Sequence, residues 1–214
     1  MENERVSQAG DDAGARVLAG MTPLILASSS PRRSEILTAV GWPFEAQAAH
    51  IDETRLEGEA PEEFVRRLAR EKAETIARTR LFGLVLGADT TVVVEGHILE
   101  KPRDERDARR MLRLMSECWH EVLTGVALVS AESGRTAVGL ERTRVRFAAM
   151  SDEEIAWHVE TGSVLDKAGA YAIQGRAALF VEGIEGDYWN VVGLPVRLVY
   201  ELARGFEATM NAER

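Results

Sequence analysis

The chain has 214 residues, 45% of them apolar, and a formal net charge of −9. That length can bury a sizeable core in one domain, or in one domain with a lobe, and no apolar run approaches the ~20 residues a membrane-spanning helix needs. The acidic balance argues against sequence-independent binding to long nucleic acid, whose affinity comes from neutralising many phosphates, but leaves room for a small anionic ligand held by a local basic cluster.

The first twenty residues are charged and glycine-bearing, without sustained periodicity or a signal-peptide core. Residues 1–21 are therefore expected as a flexible tail, 22–206 as one domain and 207–214 as a C-terminal tail. The single Cys118 cannot form an internal disulfide, which leans toward a cytoplasmic protein. A homodimer stays open.

Folding should begin with a strand at Leu24-Ile25-Leu26-Ala27, followed by Ser28-Ser29-Ser30-Pro31-Arg32-Arg33 and a helix ending near Gly41. Ser30 suits an N-cap, Pro31 the first helical position, and Ile36, Leu37 and Val40 an inward stripe. A strand feeding a helix N-terminus presents free N–H groups and a positive dipole end to an anion, and two guanidiniums can grip phosphate oxygens in a forked geometry. A plain capped helix with solvated arginines accounts for Ser30 and Pro31. It does not account for three consecutive serines, or for two arginines in a first turn where positive charge opposes the dipole.

Pro61 to about Arg80 is expected as a helix, opened by Pro61, Glu62 and Glu63, with Val65, Leu68, Ala69, Ala73, Ile76 and Ala77 at helical spacing. Leu84-Val85-Leu86 then leads through Gly87-Ala88-Asp89-Thr90-Thr91 into Val92-Val93-Val94, with Glu95-Gly96-His97 as a turn before Ile98-Leu99. Pro102 forces Lys101 into an extended conformation, and Asp104 caps a helix carrying Ala108, Met111, Leu112 and Met115. Alternation from Val122 to Leu128 and from Thr143 to Phe147, about the turn Glu132-Ser133-Gly134, describes a long hairpin. Ser151 and Glu154 form a capping box for a short helix stopped by Gly162. Ala178 to Val192 suggests more strand, broken by Gly183 and Gly186, and Leu194 to Ala203 a closing helix. Helices mixed with hairpins give an α/β or α+β class around a mixed sheet.

Three further polar sites interrupt the apolar elements. Asp89 lies in one of the most apolar stretches, where an unpaired carboxylate is costly to bury, though a turn or bulge aspartate bonded to nearby backbone fits as well. Glu100-Lys101-Pro102-Arg103-Asp104 places two cations by a helix start, which taken alone is a solvated charge run. Asp166 to Gly175 combines small residues with Gln174, whose amide offers a donor and an acceptor to a base edge, while a structural turn explains the glycines equally.

Together these segments resemble the Maf family of nucleoside triphosphate pyrophosphatases, which share the fold of the inosine triphosphate pyrophosphatases. The resemblance runs from about Leu24 to Leu202 and rests on Ala27 to Arg33, Ile51-Asp52-Glu53, Arg70-Glu71-Lys72-Ala73, Gly87-Ala88-Asp89-Thr90, Glu100-Lys101-Pro102, His120 to Ala127, Asp166 to Gly175 and Asn190 to Pro195. One departure is Glu117-Cys118-Trp119, where the family more usually has a glycine-containing turn. The resemblance implies a mixed, elongated sheet flanked by helices, and release of pyrophosphate from a nucleoside triphosphate by water attack at the α-phosphorus. It implies Asp89 as general base; Ser30, Arg32, Arg33, Lys72 and Lys101 on the phosphates; and Mg²⁺ or Mn²⁺ held by Asp89, with Glu53 as the second ligand. Arg32, Thr90 and Gln174 look like the subgroup acting on dTTP and UTP. A 7-methyl-GTP or modified-nucleotide pyrophosphatase, or a nucleotide-sensing regulator of cell division, are the alternatives; the full set of cations and the intact Asp89 argue against a non-catalytic chain.

Overall fold

The computed structural model describes residues 23–160, 162 and 164–212, together with Leu18 and Met21. Apart from those two positions, the expected tail over 1–21 lies outside the described residues. Met21 is buried in the main core, and Leu18 packs against it.

Among the described residues, seven strands form one mixed sheet: β1 (Leu24–Leu26), β2 (Phe44–Ala46), β3 (Leu84–Val94), β4 (His97–Leu99), β5 (Trp119–Ser130), β6 (Thr136–Phe147) and β7 (Val181–Glu185), in the order β2-β1-β3-β5-β6-β7 with β4 on β3. β1 runs parallel to both β2 and β3, and the other pairings are antiparallel. Helices α1 (Pro31–Ala39), α2 (Pro61–Ala77), α3 (Glu105–Met115), α4 (Asp152–Val159), α5 (Tyr188–Val192) and α6 (Val196–Ala212) complete the α/β fold expected from the sequence.

The local signals act as their chemistry dictates. Asp104 accepts the Asp107 N–H at 2.7 Å to start α3. At α4 the Ser151 hydroxyl accepts the Glu154 N–H and the Glu154 carboxylate accepts the Ser151 N–H, both halves of the capping box. The turn between β3 and β4 places Glu95 and Gly96 at φ 49° and 78°. Glu117 takes φ 59° in the tight turn before β5, so the left-handed backbone is kept there without glycine.

Strand β3 is longer than expected. Gly87 to Thr91 does not break it, because each of these residues is paired in the ladder to β5, from Gly87 opposite Ala127 to Thr91 opposite Leu123. The glycines serve packing instead. A Cβ on Gly87 would stand 2.0 Å from the Ala69 carbonyl oxygen, and one on Gly125 would stand 2.2 Å from that of Val65. Helix α2 therefore lies directly on β3 and β5, with Ala69, Ala73 and Ile76 against Val85, Ala127 and Val129. The opposite face of the sheet carries the larger core, which includes Phe147, Leu112, Met115 and Leu128.

Other expectations change as well. Strand β2 had no signal of its own. Val40 is exposed, while Ile36 and Leu37 are buried. The stretch from Ala178 to Val192 is not broken strand throughout: Arg176–Leu179 is a 3₁₀ turn, Gly183 sits inside β7, and Tyr188–Val192 is helical. Tertiary partners decide that last element, since Asp187 caps the Trp189 N–H and buried Asn190 donates to the Val122 carbonyl and the Thr143 hydroxyl, both at 3.0 Å. The closing helix starts at Val196 and continues to Ala212, through most of the segment expected as a tail.

Candidate active site

A cleft of about 480 Å³, within the size range of small-ligand sites, opens where β1 hands over to α1. Its walls include Ser30, Arg32, Arg33, Glu53, Lys72, Asp89, Thr90, Lys101 and Gln174. The structure thus brings every candidate residue to one place, from elements spread over most of the chain.

Pro31 holds the first helical position, and Ser30 stands at the cap with φ −73° and ψ 116°, yet its hydroxyl caps nothing. The neighbouring Ser28 does not cap the helix either: its Oγ accepts the Ser30 N–H at 3.2 Å and Arg33 Nη1 at 3.1 Å. The open end of α1 therefore keeps donors for a ligand. Arg33 is buried rather than solvated, donating through Nε to the Gly193 carbonyl at 2.9 Å and through Nη2 to Thr90 Oγ1 at 3.2 Å. Three of the five guanidinium N–H groups are thereby committed, and the others remain for a phosphate. Thr90 Oγ1 lies 2.9 Å from Thr124 Oγ1, so a chain of hydroxyls backs the arginine. Neither Thr124 nor the Gly193 carbonyl was singled out from the sequence. A threonine on the apolar face of the alternating strand was the sign available for the first, and a backbone oxygen gives none.

Because Gly125 stands directly opposite Asp89 and α2 lies against that face, the Asp89 carboxylate meets Lys72 on the helix. Lys72 Nζ donates to Asp89 Oδ1 at 2.6 Å and to Glu53 Oε1 at 2.8 Å. The two carboxylates are tuned apart. Burial pushes the Asp89 carboxyl above its ordinary value against the opposing pull of Lys72 and Arg33. At half-exposed Glu53, burial is outweighed by the hydrogen bond and charge of Lys72, helped by Lys101 and Arg33, and its carboxyl sits below the ordinary value. Burial thus works against charge at Asp89, while the surrounding cations favour charge at Glu53.

Lys101 is exposed two residues beyond β4, and Gln174 is exposed on the loop between α4 and β7. That loop reaches back over the cleft, where Asp166 pairs with Arg32 at 3.6 Å. Beneath it Tyr171 bonds through its hydroxyl to His120 Nε2 at 2.8 Å, inside a ring of edge-on contacts with Phe147. Burial lowers the His120 pKa to about 4, so this imidazole is neutral in the fold, whereas an unfolded histidine takes up a proton near pH 6.5. As pH falls from 6.5 toward 4, only the unfolded state binds that proton, and His120 alone should remove about 2 kcal/mol of stability by pH 5. Urea titrations of wild type and His120→Gln at pH 7 and pH 5 check this: the variant should lose that much less between the two pH values, and equal losses would refute the assignment.

Among the described residues no three His, Cys, Asp or Glu side chains gather as a metal site, and no helix is long and apolar enough to cross a membrane. What converges is a pair of carboxylates, Asp89 and Glu53, on a single cation. A Mg²⁺ or Mn²⁺ ion bound with substrate phosphates commonly uses one or two carboxylates, so the donor set fits.

Fold and cleft together define a candidate site for an anionic ligand: a helix N-terminus and four cationic side chains around the buried Asp89 carboxyl. The chain belongs to the Maf-like protein family, whose model matches residues 23–206. It is 51% identical over 181 residues to the dTTP/UTP pyrophosphatase of Koribacter versatilis (strain Ellin345), an alignment spanning 85% of this chain and 93% of the relative. It is 52% identical over 183 residues to the protein of the same name from Salinibacter ruber (strain DSM 13855 / M31), spanning 85% and 90%.

Proposed function

We propose that this protein hydrolyses dTTP and UTP to the nucleoside monophosphate and pyrophosphate, with water attacking the α-phosphorus. The observation that carries this is the buried Asp89 carboxylate, raised in pKa and set among Lys72, Arg33 and the open end of α1 in one nucleotide-sized cleft. Ser30, the free N–H groups of α1, Arg32, Arg33 and Lys101 hold the phosphate oxygens and neutralise the charge that moves onto the departing pyrophosphate. Asp89 accepts the proton of the attacking water. Lys72 keeps Asp89 and Glu53 facing one another through its two short hydrogen bonds. Asp89 and Glu53 would hold a divalent cation, which supplies Lewis-acid stabilisation of phosphoryl charge when bound.

Base choice falls to Gln174 on the exposed loop, whose amide can pair with both N3–H and a carbonyl of thymine or uracil. Thr90 supports that choice indirectly, because its hydroxyl is engaged by Arg33 and Thr124. Gln174→Glu should depress kcat/KM for dTTP and UTP ten- to a hundredfold, since a carboxylate offers no donor to the base carbonyl and a mispaired polar contact covered by the bound base costs ~1–3 kcal/mol. CTP should be poor with the wild type, because its N3 is an acceptor. Measuring kcat/KM for dTTP, UTP, CTP and 7-methyl-GTP side by side tests the assignment, and a preference for 7-methyl-GTP or indifference to the base would refute it.

A further inference from the structure

Glu53 stands on residues 47–60, which form neither helix nor strand between β2 and α2. Such a segment does not place a carboxylate within 2.8 Å of a lysine unless something fixes it. Ile51 rests on the apolar cluster of Phe64 and Leu68, on the N-terminal side of Glu53. On the other side the anchor is Arg67 of α2. Its Nη2 donates to the Thr54 carbonyl, the residue next to Glu53, at 3.1 Å. Its Nε and Nη2 also clasp the Glu59 carboxylate at 2.6 and 2.9 Å. Glu59 is buried and accepts the Leu56 N–H, and Arg55 reaches back to the Glu59 carbonyl, so residues 54–59 close on themselves around one guanidinium.

We propose that Arg67 is a positioning residue for the reaction, setting Glu53 against Lys72 and Asp89 through the clasp on Thr54 and Glu59. Arg67 and Lys72 belong to the same helix, so the helix that aims the lysine also carries the grip that aims its second carboxylate. The forked contact needs arginine: a lysine at this position keeps the charge but cannot span the Thr54 carbonyl and both Glu59 oxygens. The inference rests on the proposal above that Glu53 acts at the site, and the experiment separates the two.

The test is a double-mutant cycle on the full chain with dTTP, using Arg67→Ala, Glu53→Gln and the double variant, with Arg67→Lys and Glu59→Gln beside them. Arg67→Ala should lower kcat at least tenfold with a smaller change in KM, and Arg67→Lys should not restore it. In the Glu53→Gln background the same Arg67→Ala change should cost no more than about twofold, because the residue it positions is already disabled. Trypsin should cut after Arg55 faster in Arg67→Ala than in wild type, a direct sign that the segment has been released. Glu59→Gln loosens the clasp without removing the guanidinium, and its smaller loss should vanish in the Glu53→Gln background too. An Arg67→Ala loss that persists in full there, or an unchanged rate of cleavage at Arg55, would overturn the proposal. Full activity of Glu53→Gln would overturn the role of Glu53 itself, and this inference with it.

Discussion

Asp89→Asn should retain nucleotide binding and lose turnover by about 10²–10⁴, the usual contribution of a positioned general base. The fold should tolerate the change. Burial already favours the uncharged carboxyl at this position, and an amide oxygen can still accept the Lys72 ammonium that the Asp89 carboxylate accepts at 2.6 Å. What is lost is the proton acceptor and one negative charge facing Glu53 across the lysine. Steady-state turnover together with equilibrium dialysis of dTTP checks both halves; near-wild-type turnover would remove Asp89 from the chemistry.

Arg33→Ala should be nearly as damaging to kcat/KM, for a different reason, and should cost stability too. The guanidinium donates to the Ser28 hydroxyl, the Thr90 hydroxyl and the Gly193 carbonyl in a buried setting; without it Ser28 keeps the Ser30 N–H and Thr90 keeps Thr124, but the Gly193 carbonyl loses its close donor, at a cost of ~1–3 kcal/mol. Its remaining N–H groups are the fork offered to phosphate, and truncating a buried charged partner commonly costs ~2–5 kcal/mol, so kcat/KM should fall by about 10² or more. Arg33→Lys should recover little, because an ammonium cannot span three acceptors and a phosphate at once. Lys101→Ala makes the control: this side chain is exposed, so its loss should raise KM while leaving the melting temperature within a degree or two. A variant of Arg33 with unchanged Tm and unchanged kcat/KM would mean that the residue is neither scaffold nor ligand.

The parts of the fold legible in the sequence are those whose cause is local. Asp104 and the Ser151–Glu154 box write their caps within four residues of the groups they satisfy, and the alternation of β5 and β6 needs only a turn to close it. The serine-rich turn into α1 was legible for the same reason. Elements made by distant partners were not. β2 is a strand because β1 lies beside it, and β3 runs unbroken past Asp89 because β5 pairs with it along most of its length. Gly87 has the composition of a turn but is required by the carbonyl of Ala69 on α2. Helix α5 is only five residues long, too short to show a helical period, and it is held by what Asn190 finds on β5 and β6.

The site divides in the same way. Residue types pointed to Arg33 and Asp89, and the family resemblance to Lys72, as charged groups with work to do, but their sequence positions could not show which of them touch. The Arg33 link to Gly193 spans 160 positions, and Lys72 faces Asp89 and Glu53 from another element. Consequently the sequence presented Lys72 as a phosphate ligand, whereas the structure places its ammonium between two carboxylates. Arg32, expected on the phosphates, also pairs with Asp166 on the loop that carries Gln174, a link the sequence did not show.

Hydrolysis of UTP in water enriched in ¹⁸O tests the central claim most directly, because pyrophosphate is released whether water attacks the α- or the β-phosphorus and only the label tells them apart. The proposed attack at the α-phosphorus predicts one ¹⁸O atom in the phosphate of the UMP formed and none in the pyrophosphate, as read by mass spectrometry. Label in the pyrophosphate, or release of orthophosphate in its place, would contradict the account.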